Sequence, residues 1–364
     1  MTLALSKLAV AAGALVVASA AAADDLGAVR SFRDWTVACD NGRICRAHGF
    51  PAGTDTMGFG LRLDRDAGRT ATPRLYVSID PDRRPPTDGT VTFATDRKRI
   101  GARPLRSAFR ITGDDYEIAD PAIVAAVIAA IRESRHLEIR FSPPREEAGE
   151  PAPPVSLDGA SAALLWMDER QQRVGTVTAL VRPGRRQAAT ISPPPPPPRA
   201  PAPRPLATGE RAAPLSAAAN AAVRALFRRD LHETCDSGGP RTVEALTGGT
   251  LLVGLRCWHG AYNESAAYYL VEDGETPRVR PADFPRPVAR TDTGSPVPGN
   301  ILTNVELDAA TGRIFHFSKS RGLGDCGERG EWGWDGTRFQ AVGIETMPHC
   351  RGIADAWFSL YRTR

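Results

Sequence analysis

Pro193 to Pro198 form an unbroken run of six prolines, continued by Arg199-Ala200-Pro201-Ala202-Pro203-Arg204-Pro205. Each proline fixes φ and lacks an N–H, so the stretch enters neither a helix nor the interior of a sheet. Polyproline II is the expected conformation, and at about 3.1 Å per residue the run from 193 to 205 reaches about 40 Å. The segment 191–214 therefore divides the 364-residue chain into an N-terminal domain, 24–190, and a C-terminal domain, 215–364. The run itself reads as a semi-rigid strut holding the two apart. Recognition by a partner that binds polyproline is the other use of such a stretch.

Met1 to Ala23 has the organisation of a secretory signal. Lys7 supplies the positive charge, Leu8 to Val17 the apolar stretch, and Ala21-Ala22-Ala23 the small residues before a cut after Ala23. The apolar run is shorter than the ~20 residues that span a bilayer, so an uncleaved anchor is disfavoured, and no later segment is apolar enough to cross. The expected location is the periplasm. All six cysteines, Cys39, Cys45, Cys235, Cys257, Cys326 and Cys350, follow the signal. An even number in an exported chain reads as three disulfides in an oxidising compartment. Nearest-neighbour pairing, Cys39–Cys45, Cys235–Cys257 and Cys326–Cys350, is preferred among the fifteen connectivities six cysteines allow. The spacings do not make a zinc site, and no metal or other cofactor is expected.

Between those landmarks the pattern is that of an α+β protein in two domains: an N-terminal mixed β-sheet with two helices, and a C-terminal helix followed by an antiparallel meander. Short strands are predicted at Trp35–Cys39, Gly58–Leu63, Pro73–Ile79, Leu105–Ile111 and Leu137–Phe141. Asp120-Pro121 opens a helix with an Asp N-cap and Pro in the first turn, and Ile123, Val124, Val127, Ile128 and Ile131 share one face, read as core. A second helix runs from Ala160 to Arg173. Beyond the prolines, a helix Ser216–Leu231 has Ser216 as N-cap. Turns at Gly248-Gly249, Asp308 to Gly312 and Asp335-Gly336 then separate six to eight strands in one sheet or an incomplete barrel.

The chemistry is sparse. The formal net charge of +4 is too balanced for a nucleic-acid binder. Cys235-Asp236-Ser237-Gly238-Gly239-Pro240 is similar to the nucleophile motif of chymotrypsin-like proteases, but the histidine context that would activate Ser237 is absent, and a helix-ending turn explains it better. The carboxylate pairs, Asp64 with Asp66 and Asp168-Glu169 among them, read as solvated. His316, alternating with Phe315 and Phe317, is expected to face solvent. No catalytic residue is assigned. The binding candidates are Trp258, His259, Tyr262 and Asn263, which concentrate donors and acceptors in one loop, and Trp332 and Trp334, which point to one face of a strand. A structural turn is the preferred reading of the loop, and a core role the preferred reading of the tryptophans; an aromatic platform for sugar rings or peptide side chains is the functional alternative.

Asp34-Trp35-Thr36-Val37-Ala38-Cys39-Asp40-Asn41 followed by Cys45, Ser156 to Leu164 with Asp168-Glu169-Arg170-Gln171, Cys257 to Asn263, and Gly324-Asp325-Cys326-Gly327 through Trp332-Gly333-Trp334-Asp335-Gly336 to Cys350-Arg351-Gly352 together resemble a bacterial exported family known as domain of unknown function 1176. The N-terminal half alone is more faintly similar to invasion-associated locus B proteins of the periplasm. Neither resemblance implies a catalytic residue, and the proline run looks like an insertion. The sequence thus points to a disulfide-stabilised protein of a Gram-negative envelope, with no transmembrane segment once its signal is removed. It reads as a non-enzymatic binding or interaction protein with an envelope protein or a glycan as partner. The alternatives are a cell-wall or peptide hydrolase using His259 with Ser237 or a carboxylate, and an inhibitor of a hydrolase such as lysozyme.

Overall fold

A computed structural model describes residues 26–53, 58–79, 89–112, 115–142, 152–206, 214–231, 234–235, 241–286, 297–353 and 356–364. The proposed signal with Ala23, and Ser237, lie outside them. The fold is α+β, with four antiparallel sheets and no closed barrel among the described residues.

In the N-terminal half a seven-stranded sheet runs in the order β1 (Ala28–Phe32), β2 (Trp35–Cys39), β3 (Cys45–Gly49), β4 (Phe59–Arg65), β5 (Arg74–Ile79), β9 (Asp115–Ile118), β8 (Phe109–Thr112). A four-stranded sheet places β11 (Val155–Ser156), β10 (His136–Ser142), β6 (Thr90–Thr95) and β7 (Arg99–Pro104) side by side. Alternate residues of β2, β4 and β5, such as Trp35, Val37, Leu61, Leu63, Leu75 and Val77, meet Val91, Phe93, Leu137 and Ile139 in one core, as the two-residue period of a strand requires. Helices α2 (Pro121–Ala130) and α3 (Ala160–Arg170) cover it. Asp120 caps α2 as expected, its carboxylate accepting from the Ala122 amide. The predicted strand over Leu105–Ile111 is instead one helical turn, α1 (Leu105–Ala108), leading into β8. Pro104 precedes that turn and breaks the extended chain.

The second half has three layers. Helix α4 (Ala217–Leu231) packs on a sheet made of β12 (Arg241–Ala245), β13 (Thr250–His259), β14 (Glu264–Glu272), β15 (Arg278–Pro281) and β16 (Ile301–Thr303). That sheet packs on a second one ordered β17 (Glu306–Asp308), β18 (Arg313–Lys319), β19 (Gly327–Trp334), β20 (Phe339–Met347), β21 (Phe358–Arg362). The expectation of a single sheet or open barrel is corrected, and β14 shows why. Ala267, Tyr269 and Val271 face α4 while Tyr268 and Leu270 face the second sheet, so both sides of one strand are apolar. Ser216 caps α4 through the Ala219 amide, as predicted. The Gly248-Gly249, Asp308–Gly312 and Asp335-Gly336 turns all join paired strands, the last as a loop of Asp335 to Arg338 because Trp334 pairs with Phe339. The three disulfides join the nearest neighbours, Cys39–Cys45, Cys235–Cys257 and Cys326–Cys350.

The halves are in contact. β21 lies beside β1 and β2: the Gly27 amide donates to the Leu360 carbonyl at 2.7 Å, and the Asn41 side chain bonds both the amide and the carbonyl of Arg362. Ala38 and Phe50 enter the core of the second half. The proline run does not hold the halves apart, which corrects the strut expectation. Pro198 and Ala200 exchange backbone bonds with Arg364, Arg204 and Leu206 donate to the carbonyls of Thr311 and Ala309, and Leu206 is buried. Proline still offers its carbonyl, so the strip is held at its acceptors and at the residues between the prolines.

Asp168, read as solvated, is fully buried. Its carboxylate accepts from the Leu180 and Val181 amides and pairs with Arg65 at 3.3 Å, and Arg173, also fully buried, is held by Gln171, Thr178 and the Gly68 carbonyl. Asp64 is likewise buried, between Arg46 and Arg62. An acidic pair in sequence alternates between faces or turns of a helix, so one member can face inward. Asp168→Ala leaves Arg65 without its carboxylate partner and is expected to lower the unfolding free energy by about 3–5 kcal/mol in urea titrations; a loss under ~1 kcal/mol would show the network to be dispensable.

His48 sits where β3 meets β21, its ring 5.2 Å from that of Phe358 and 5.8 Å from Phe50. Burial, with the guanidinium groups of Arg46 and Arg62, holds its pKa well below 6.5. The unfolded chain binds a proton near pH 6.5 that the folded ring refuses, so this group costs stability as pH falls below that value, at up to about 1.4 kcal/mol per pH unit. Urea midpoints are expected to fall more steeply from neutral pH towards pH ~5 in the native protein than in His48→Phe. Equal slopes would contradict the assignment.

Candidate functional site

The outward face of the β17–β21 sheet carries a groove of about 520 Å³, within the ~300–1,000 Å³ usual for small-ligand sites. Strand alternation builds it. On β18 Ile314 and His316 turn inward, leaving Phe315 and Phe317 outward; on β19 Trp332 and Trp334 turn inward, leaving Arg329 and Glu331 outward. Register then sets two rows across the sheet. Phe315 pairs with Glu331 and Glu331 with Gly343; Phe317 pairs with Arg329, Arg329 with Glu345 and Glu345 with Ser359. Tyr361 and Arg362 close the far side. A side chain at Gly343 would meet nothing within 4 Å, so the floor is open there.

The charges interleave. The Arg329 guanidinium stacks on Trp357 at 3.9 Å and on Phe317 at 4.7 Å, which fixes its plane while leaving its N–H edges for other acceptors. Glu331 pairs with Arg313 from the neighbouring strand. Phe315 keeps 38% of its surface exposed in the middle of this polar face.

Of the six binding candidates, Trp332 and Trp334 are at most 1% exposed and belong to the core between the two sheets; Trp332 donates its ring N–H to the Pro285 carbonyl at 2.9 Å. Their shared face is real but points inward, and Gly330 makes room for the Trp332 ring, which lies where its Cβ would be. His316 is also inward, 4% exposed, which corrects the expectation of a solvent-facing ring. Its Nδ1 accepts from the Thr303 amide at 2.8 Å. Burial lowers its pKa, assisted by Arg286 and opposed by Glu328, whose carboxylate is 3.5 Å from Nε2. The Thr303 amide thus satisfies one ring nitrogen of a buried histidine, Nε2 faces the Glu328 carboxylate without a hydrogen bond, and the phenylalanines face out instead.

Trp258, His259, Tyr262 and Asn263 lie at the β13–β14 hairpin. Trp258 is half-buried against the α4 layer, and His259 and Tyr262 are exposed. Asn263 is a clamp. Its amide donates to the Lys319 carbonyl at 2.8 Å, and its carbonyl oxygen accepts from the Lys319 amide and from Asn304 Nδ2. Asn304, at φ 46°, accepts from the Glu264 amide and donates to the Tyr262 and Phe317 carbonyls. Two asparagine side chains thus tie the hairpin of the first sheet to β18 of the second, at the lip of the groove that Asn304 lines. His259 and Tyr262 stand on that tied loop, while the groove residues Phe315, Phe317, Arg329, Glu331, Glu345 and Tyr361 carried no sequence signal beyond an alternation that fits either face.

Cys326, Cys350 and Asp325 bring a carboxylate within 4.8 Å of two sulfurs, but both sulfurs are in a disulfide and Asp325 is taken by Arg321 and the Gly352 amide, so the donor set does not fit a metal.

Asn304→Ala removes four hydrogen bonds' worth of clamp in a left-handed position that asparagine tolerates better than alanine. It is expected to cost about 1–3 kcal/mol in urea unfolding; an unchanged midpoint would show that the lip is not held by this residue.

From residue 29 to residue 364 the chain matches the model of a family described as a protein of unknown function (DUF1176). An uncharacterized protein of Escherichia coli (strain K12), YpfG, is 28% identical over 357 residues, covering 93% of each chain. No solved structure matches.

Proposed function

Since the chain belongs to the DUF1176 family of proteins of unknown function, whose name assigns no activity, we propose from its own residues that it is an exported, non-enzymatic binding protein of the bacterial envelope that takes a glycan in the groove of its last sheet. The three disulfides support an oxidising compartment, and among the described residues no helix is long and apolar enough to cross a membrane. The secretory pattern of residues 1–23 supplies the route, and the periplasm is the destination.

The observation that carries the reading is the groove's composition: an exposed Phe315 flanked by a stacked Arg329 and by Glu331 and Glu345. A sugar ring offers an apolar face to an aromatic side chain and hydroxyls that both donate and accept. Interleaved acids and bases satisfy such hydroxyls on both counts, whereas a strongly charged ligand would be repelled by one of the two sets. His259 and Tyr262 at the lip extend the same surface.

Titration of envelope polysaccharide into the purified protein, followed by calorimetry, is expected to give saturable binding. Phe315→Ala and Glu345→Gln should each weaken it about tenfold, as loss of one ring contact or one charged hydrogen bond does, with the melting temperature unchanged. Binding that survives both changes intact would rule the groove out.

A further inference from the structure

A second concavity lies on the other half of the molecule, along α2. That helix reads Pro121-Ala-Ile-Val-Ala-Ala-Val-Ile-Ala-Ala130 and has no charged or polar residue in its ten positions. A helix that is apolar all round is ordinarily surrounded by protein. Here one face, Ile123, Val127 and Ala130, is buried in the N-terminal core, while Val124, Ala125, Ile128 and Ala129 line a trough of about 620 Å³ and keep part of their surface exposed. At 1.5 Å per residue the helix alone gives that trough a length of about 15 Å.

The rim is basic. Arg74, Arg110 and Arg132 line it against one acid, Glu117. Arg110 is paired with Glu117, and Arg74 with Asp66. Arg132, just past the C-terminal end of α2, has no ion pair among the described residues. The walls include Pro73, Pro121 and Pro183, none of which has an amide to offer. A peptide backbone would find few donors along such walls, whereas a hydrocarbon chain needs none. An apolar trough that is long, narrow in its hydrogen-bonding capacity and ended by a cation fits one chemistry.

We propose that this trough binds a single-chain carboxylate amphiphile, a free fatty acid, with its acyl chain along Val124, Ala125, Ile128 and Ala129 and its carboxylate on Arg132. The site is separate from the groove of the last sheet and does not depend on what that groove takes. Burial of the chain against α2 supplies the affinity, and the guanidinium selects the charged head over a neutral one.

Decanoate and decanol, titrated into the full-length protein by calorimetry, test this directly. Saturable one-to-one binding of decanoate is expected, abolished by Ala125→Trp, whose indole fills the trough from an exposed position. Arg132→Gln is expected to weaken decanoate about tenfold and to leave decanol unchanged. Both sites are on the surface, and unaltered melting temperatures confirm that the variants fold. Decanoate binding that persists in Ala125→Trp overturns the proposal, as does its absence in the native protein. Sedimentation with phosphatidylglycerol vesicles that Ala125→Trp abolishes, in a protein that ignores free decanoate, overturns it in favour of a membrane contact.

Discussion

The junction between β2 and β21 is the contact on which the rest of the architecture depends. Asp40 spends one carboxylate oxygen on the amides of Gly42 and Ile44, shaping the turn that Cys39–Cys45 closes, and turns the other to Arg362 at 2.5 Å. Asn41 beside it bonds the main chain of Arg362 on both its donor and its acceptor, as a neighbouring strand would. A residue near the start of the chain thereby fixes the last strand. Because β21 also carries Ser359, Tyr361 and Arg362 into the groove, the position of one groove wall is set from the other half of the molecule.

That dependence explains why so much of the sequence that looks distinctive is architectural. Trp35 is fully buried and donates to the Ser156 carbonyl, and the Ser156 hydroxyl donates to Asp34 at 2.6 Å, so two motifs far apart in sequence are two sides of one contact. Gly159 leaves room for the Phe32 carbonyl, which would stand 1.7 Å from any Cβ there, at a φ of 89°. Asp168, Gln171 and Arg173 hold the loop that follows α3, and Asp335 gathers the Thr337 and Arg338 amides into the β19–β20 turn. Tryptophans, glycines and acids that invite a reading as site residues serve to fasten layers together.

Sequence reasoning was strongest where a constraint is local. Asp120 before Pro121, Ser216 before an alanine-rich helix, Gly248-Gly249 between apolar runs and Cys39 with Cys45, six residues apart, had their outcome decided locally, and the structure has them as expected. It was weakest where a choice depends on what lies across a layer. The alternation Ile314, Phe315, His316, Phe317 is satisfied by either assignment of faces; burying His316 requires the Thr303 amide and Glu328, which only the fold brings near. The seven strands of the first sheet close around pairings such as β5 with β9, whose residues are forty apart in sequence and carry no mark of one another.

The same reasoning separates the two concavities from the motifs around them. In the groove, Phe315 stands exposed over a core already filled by Ile314, Trp332 and Ile344. Along α2, Val124 and Ile128 repeat the apolar spacing of the buried face without being fully covered by it. A surface side chain that the core does not require is under no structural obligation to be aromatic, stacked or aliphatic, and each such departure carries a cost in exposed apolar area. Two surfaces on one molecule, one mixed in charge and one apolar with a basic rim, therefore mark different chemistries.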